Sequence, residues 1–300
     1  MGMDRSAATI TVISGGYQVV SSLGTDQLFG VEFIQFDDQL LDLSTISSAP
    51  TSGADVLAGT ASADVIDLLA GNDSYDGLGG NDTITGGAGS DTLNGGDDHD
   101  ILRLWTSAAG ELDVLNGDNG QDAADFSGFG AAVWVDLTYG GVEAWTKDDG
   151  NARTSGPWRS IADLNGIENI TGTAYDDLLA GDAQANILSG NAGHDELRGG
   201  GGNDTITGGA GNDTLNGGVG NDRFVFNDGH GIDRINDFEA LNDSELIDLS
   251  GISAITSFSD LRDNHMSIQN GILVIDTGSG QISLIGVTLS DLLDGNDFVF

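Results

Sequence analysis

The stretch GGGGNDTIT GGAGNDTLN GGVGNDRFV, residues 199–225, decides the fold. It is one nine-residue unit written three times, with Asp at the sixth position (Asp204, Asp213, Asp222) and an apolar residue at the eighth (Ile206, Leu215, Phe224). Glycine at the first, second and fourth positions admits φ > 0 and close approach, so six residues can form a tight turn whose carbonyls curl inward. The next three form a short strand whose central side chain points in while its neighbours face solvent. A fixed period of this kind predicts a solenoid, in which a unit buries its apolar residue only by stacking on its neighbours.

Working outward, the same register holds in GTAYDDLLA, GDAQANILS and GNAGHDELR (172–198), which carry Asp177, Asn186 and Asp195 with Leu179, Leu188 and Leu197. Far upstream, Asp55, Asp64, Asp73, Asp82, Asp91 and Asp100 are spaced by nine, with Ile66, Ile84, Leu93 and Leu102 at the apolar position. After a four-residue insertion, Leu104 to Ser107, the phase resumes with Asp113 and Asp122. The arrays span 50–125 and 172–226. Between them, 126–171 breaks the period and reads as a small β insert built from AAVWVDL, GGVEAW and SIADLNGIENI. Beyond the RFVF strand that ends the second array, residues 227–300 read as a β-rich cap, with strands at LIDLSGI, ILVIDTG and QISLIGV and capped helical turns at SFSDLRD and TLSDLLD. Residues 1–49 alternate in TITVIS, YQVVSS and VEFIQF, an N-terminal β-strand region expected to pack on the open end of the first array.

The charge balance agrees with bound cations. Nine Lys and Arg stand against 48 Asp and Glu, a net charge of −39, which a compact fold tolerates poorly without counter-ions and which disfavours nucleic acid as a partner. Disulfides and thiolate metal sites are excluded by the lack of Cys, and no apolar run reaches membrane-spanning length. Asp and Gly favour turns even without a metal. That preference explains neither the fixed place of Asp nor how like charges could stack coil upon coil.

GGAGND, GGGGND and GGVGND resemble the hemolysin-type, or repeats-in-toxin (RTX), calcium-binding nonapeptide. The resemblance implies an all-β fold of two right-handed parallel β-roll stacks, with Ca²⁺ as the cofactor. In that family two units make one coil, so an ion sits between turns one coil apart, and Asp73 pairs with Asp91, Asp82 with Asp100, Asp195 with Asp213 and Asp204 with Asp222. The same resemblance assigns carbonyls from Leu69, Gly71, Gly86 and Ala88 to the first site and from Leu78, Gly80, Gly95 and Asp97 to the second. In the second array it assigns Asn191, Gly193, Gly208 and Ala210, then Gly200, Gly202, Gly217 and Val219. GTASAD, GTAYDD and GDAQAN depart from the pattern, which puts their ions in doubt, and Asp98 stands where Gly is usual.

The resemblance further implies a secreted, extracellular bacterial protein, unfolded at low cytosolic calcium. The ending GNDFVF looks like the uncleaved tail of proteins exported by type I secretion machinery. No catalytic motif accompanies the repeats: HExxH and GxSxG are absent, and His99, His194, His230 and His265 are scattered, the first two at the fifth, solvent-facing repeat position. The chain therefore reads as a binding module and not an enzyme, although relatives place such modules after hydrolase, protease or epimerase domains, and the opening inside β-like sequence suggests a piece of a longer protein. The alternative class is an adhesive protein holding an extracellular polysaccharide, for which Trp134, Trp145 and Trp158 are the candidates. Their alternating context assigns them to core packing.

Overall fold

The computed structural model describes residues 49–152, 157–240, 244–292 and 295–300, and the backbone of five short strands before them. Ala8–Ile13, Gly16–Ser21 and Gly24–Leu28 form an antiparallel sheet, and Phe33–Gln35 pairs with Leu40–Asp42. The expected packing of this region on the first coil lies outside the described residues.

From Val56 onward the chain winds as a parallel β-solenoid with two facing sheets. One sheet has ten strands, and its central residues are the eighth-position residues of the repeats and their continuations. Ile66, Ile84, Leu102, Ala124, Ile170, Leu188, Ile206, Phe224, Ile247 and Phe298 lie side by side in one register. The other sheet has fourteen strands and carries the matching column Leu57, Tyr75, Leu93, Leu115 and Leu164, resumed by Leu179, Leu197, Leu215, Ile235 and Leu284. The two columns meet in a single core running from Leu57 to Phe298. A unit contributes one apolar side chain, too little to fold alone, so stacking supplies the burial.

Both arrays form β-rolls, and the insert joins them without breaking the core. On the ten-stranded face the single strand Asn169–Thr171 links Ala123–Asp125 to Ile187–Ser189. On the other face the chain runs out along Val133–Asp136, back along Val142–Thr146 and forward again along Arg159–Asn165, an antiparallel meander between Asp113–Asn119 and Leu178–Ala180. Two extra strands at a spacing of about 4.8 Å make this face about 10 Å longer than the other, so the insert is a wedge. The meander directs Val133, Val135 and Ala144 into the core. Trp134 and Trp145 stand on the opposite, outer face as a directly facing cross-strand pair, contrary to the core packing expected from alternation.

The cap extends the same sheets. Met266–Gln269, Ile272–Asp276 and Gln281–Leu284 form a meander on the edge of the long sheet, and Phe298–Val299 closes the other by pairing with Leu246–Gly251. SFSDLRD does turn helically: Ser257 Oγ accepts from the Asp260 N–H (3.2 Å) at its start.

The turns impose the tightest constraint. The second position is left-handed at Leu69 (φ 75°), Leu78 (φ 72°), Asp118 (φ 65°) and Asn191 (φ 69°) as well as at glycines, though not at Thr60, Thr173 or Asp182 of the degenerate units, and Asp98 is also left-handed (φ 79°). At the fourth position the limit is space, because a Cβ on Gly211 would overlap the Gly193 carbonyl of the coil before it. Gly211→Ala should therefore cost several kcal/mol, whereas Gly110→Ala, also at positive φ (97°) but with nothing near its Cβ, should cost only about 1–2 kcal/mol of backbone strain. Thermal unfolding of the two variants in calcium buffer measures the difference.

Candidate metal centre

Each repeat aspartate ends a turn and opens a strand, so the parallel stacking places the carboxylates in two columns along the edges of the roll. One oxygen of each is engaged by the preceding coil. In the first column, Oδ1 of Asp73, Asp91 and Asp113 accepts from the backbone N–H of Asp55, Asp73 and Asp91 at 2.8 Å. The pattern resumes past the wedge, where Oδ1 of Asp177, Asp195, Asp213 and Asp233 accepts from Val133, Asp177, Asp195 and Asp213 at 2.8–2.9 Å. In the second column, Asp82, Asp100 and Asp122 accept from Asp64, Asp82 and Asp100, and Asp204 and Asp222 accept from Asn186 and Asp204, at 2.7–2.8 Å.

The second oxygen separates two kinds of turn. Oδ2 of Asp73, Asp82, Asp91, Asp100, Asp122, Asp195, Asp204, Asp213 and Asp222 is buried and accepts no hydrogen bond. In the degenerate units the chain itself engages it: Thr51, Thr60 and Thr173, four residues before Asp55, Asp64 and Asp177, each donate their N–H (2.6–2.7 Å) and hydroxyl (2.9–3.1 Å) to Oδ2. In GDAQAN the Asp182 N–H reaches Asn186 Oδ1 (2.9 Å). Threonine at the second position thus stands in for a cation, which explains why the units doubtful as ion sites still fold into the roll.

The unpartnered oxygens are not alone. A Cβ on Gly77 would collide with both Asp82 Oδ2 and the Gly95 carbonyl; Gly190 is held likewise by Asp195 and Gly208, and Gly199 by Asp204 and Gly217. The second- and fourth-position carbonyls of the earlier turn point toward the next coil, Leu69 at Gly87, Leu78 at Gly96, Gly71 at Gly89, Asn191 at Gly209, Gly193 at Gly211, Gly200 at Gly218 and Gly202 at Gly220. From the later turn, the Ala88 and Val219 carbonyls face back to accept from Gly71 and Gly202 (2.8 and 2.9 Å). Ala210 lies in the same ladder, paired with Ala192. Asp97 pairs with Gly79, Gly80 packs on Ser62 and Ala63 of the coil before, and Gly86 borders Asp91 Oδ2. The turns therefore enclose an oxygen-lined gap with a carboxylate oxygen in it, which is the donor set of a hard divalent cation with six to eight oxygen ligands.

Sequence reasoning missed Asp122. Its Oδ2 is as buried and unpartnered as the others, and GDNGQD (117–122) stacks on GGDDHD (95–100), but a spacing of 22 in place of 18 hides the pair. The fifth position also does more than face solvent. His99 Nδ1 accepts from the Gln121 N–H (2.9 Å) and His194 Nδ1 from the Asn212 N–H (2.8 Å), with Asn72, Asn81, Asn203 and Asn212 acting likewise, so a second ladder runs beside the carboxylates. His230 ends the first column: its Nδ1 meets Asp233 Oδ2 (2.5 Å) and its Nε2 meets Thr277 Oγ1 (2.8 Å). This Asp–His–Thr arrangement has the connectivity of a hydrolytic triad, but Thr277 is fully buried and no substrate carbonyl could reach it.

Burial opposes the ionised carboxylates. Desolvation, reinforced by the neighbouring acid of the column, raises Asp82, Asp91, Asp204 and Asp213 to about 6, and desolvation with repulsion from Asp177 and Asp213 raises Asp195 to about 9.

These features define the class: a parallel β-roll whose edges are columns of cation-binding turns. The model of the RTX calcium-binding nonapeptide repeat matches residues 51–84, 70–102, 164–197, 189–224 and 198–232, so these stretches of both arrays carry RTX repeats, which bind Ca²⁺. No curated protein matches the chain. Among solved structures, the extracellular lipase LipA from Serratia marcescens is similar at 23% identity and a TM-score of 0.34, over 78% of this chain and 41% of that one.

Two outcomes follow. Thr173→Val, which removes a buried hydroxyl donor from Asp177, should destabilise the calcium-loaded protein by about 1–3 kcal/mol in urea unfolding. In chelator, the folded state binds more protons than the unfolded chain between pH 4 and 6, because the folded values lie above the ordinary 3.8, so stability should fall as pH rises through that window. Calcium should reverse the trend, since its ligands must be deprotonated. Circular dichroism across pH 4–8, with and without calcium, reads both slopes.

Proposed function

We propose that this chain is the calcium-triggered folding module of a secreted bacterial protein, and that the ligands are the aspartates and carbonyls assigned above with the Asp100–Asp122 pair added. One observation carries the reading: nine buried, unpartnered carboxylate oxygens stacked in two columns. Without cations, like charges repel along each column and their desolvation is uncompensated. With an ion between coils, two carboxylates neutralise it and each coil docks on the last.

Binding free energy is then folding free energy, and nearest-neighbour stacking makes the transition cooperative. Extracellular calcium modules work at Kd of about 10⁻⁴–10⁻³ M, so the arrays would stay extended in the cytosol and become rigid outside. Export through type I machinery suits an extended chain. The tail is also structural, because Phe298 pairs with Ile247 in the core, so folding would withdraw it once the cap forms. No helix among the described residues is long and apolar enough to cross a membrane. The scattered histidines and the buried Thr277 favour a binding role over catalysis.

Calcium titration of the chelated protein, followed by circular dichroism, should show a cooperative gain of β-structure in the millimolar range. Asp204→Asn should raise the midpoint several-fold. Asp64→Asn, at a turn that Thr60 caps, should move it little. Equal effects of the two variants, or no response to calcium, would overturn the assignment. Deleting residues 297–300 should leave the protein inside an otherwise secreting cell.

A further inference from the structure

Three of the four tryptophans stand within the insert, in a chain otherwise poor in aromatics. Trp134 and Trp145 face each other across neighbouring strands with ring centroids 4.8 Å apart, Trp158 sits 5.4 Å from Trp134, and Tyr139 packs edge-on against both strand tryptophans at 6.1 and 5.3 Å. The rings lie on the outer face of the wedge; the tryptophans are half-buried and Tyr139 is 52% exposed. Lys147, the only lysine in the chain, places its ammonium 4.8 Å from the Trp158 ring. Elsewhere that face of the long sheet mixes polar side chains such as Ser74, Thr92, Asn94, Asn116, Thr214 and Asn216 with aliphatic ones such as Val56, Val114, Leu178 and Ile232.

We propose that this aromatic face binds a neutral polysaccharide. Size decides against a protein partner. Fully covered aromatic side chains bury about 150–250 Å² each, and four that already cover one another leave roughly 300–500 Å² to offer. A stable protein interface needs about 800 Å² per partner, whereas an exposed patch of this size suits a smaller ligand. Charge decides between the remaining ligands. An anionic membrane is recruited by clusters of basic residues, whereas here Lys147 stands beside Arg159, which is held by Asp148 and the Ser107 carbonyl, in a chain of net charge −39. The same field repels acidic glycans, and Asp136 and Asp163 lie on strands of the meander, while Asp148 is paired with Arg159. A neutral sugar ring answers both features: its C–H face stacks on indole, and its hydroxyls donate to Asp136 or exchange hydrogen bonds with Ser160, which pairs with Trp145 across the meander, and with Lys147. The wedge is a rigid place for such a patch, since Val133, Val135 and Ala144 anchor its back in the core.

The proposal does not depend on the calcium reading. Its test is affinity electrophoresis of the full calcium-loaded chain through native gels containing hydroxyethyl cellulose or laminarin, with alginate as the acidic comparison. At least one neutral glucan should retard the protein. Trp134→Ala should weaken that binding about tenfold, the equivalent of one lost stacking contact. Tyr139→Ala, at the most exposed ring and so least damaging to the fold, should weaken it several-fold, while Trp105→Ala, outside the cluster, should leave it unchanged. Dichroism of the same samples establishes that each variant is folded. Full mobility in both glucans, retardation by alginate alone, retardation indifferent to Tyr139→Ala, or self-association that the same substitution abolishes would overturn it.

Discussion

Everything in this molecule depends on desolvated like charge. The solenoid can close only by setting each repeat aspartate directly over the next, and hydrogen bonding disposes of half of each carboxylate by giving Oδ1 to the N–H of the preceding coil. The other half is left in a gap lined by carbonyls and by glycines without Cβ atoms. A divalent cation is the economical solution, because two carboxylates match its charge and stacked turns supply the remaining oxygens. The apolar columns could hold a compact chain together, but the carboxylate columns decide under what conditions it becomes one.

The protein meets that constraint in three chemistries along the same columns. Standard GGxGxD turns leave Oδ2 to a cation; GTAxxD turns satisfy it with the threonine at the second position. At the end of the first column His230 stands against Asp233. The two kinds of turn differ in backbone as well: the second position is left-handed where Oδ2 is left unpartnered and is not left-handed at Thr60 and Thr173, yet both kinds stack in the same register.

The wedge shows that a repeat fold can accept a foreign element without losing its core. Asn169–Thr171 keeps the ten-stranded face in register, while the meander inserts two additional strands on the other face and turns its small apolar residues inward. Phe126 and Phe129 of the insert are buried in the core, while the strand tryptophans stand on the outer face. The columns also adapt here: Glu168, with a longer side chain, accepts from the Asp122 N–H (2.9 Å) where an aspartate would otherwise stand.

The sequence by itself determined the period and the inward residue of each strand, because a nine-residue repeat leaves one register in which apolar and acidic positions each align; the Asp–Asp pairs eighteen apart followed from the family resemblance, which implies two units per coil. It also marked the degenerate turns. It could not reveal what replaces the ion there, since the Thr173–Asp177 contact depends on the shape of the turn and not on spacing alone. The phase marked Asp122 beyond the insertion but not its pairing with Asp100, 22 residues away, nor could it reveal which way the tryptophans face. Alternation places Trp134 and Val133 on opposite sides of a strand, but only packing against the roll decides which side is the core, and here it is Val133 that is buried while the indole is turned outward.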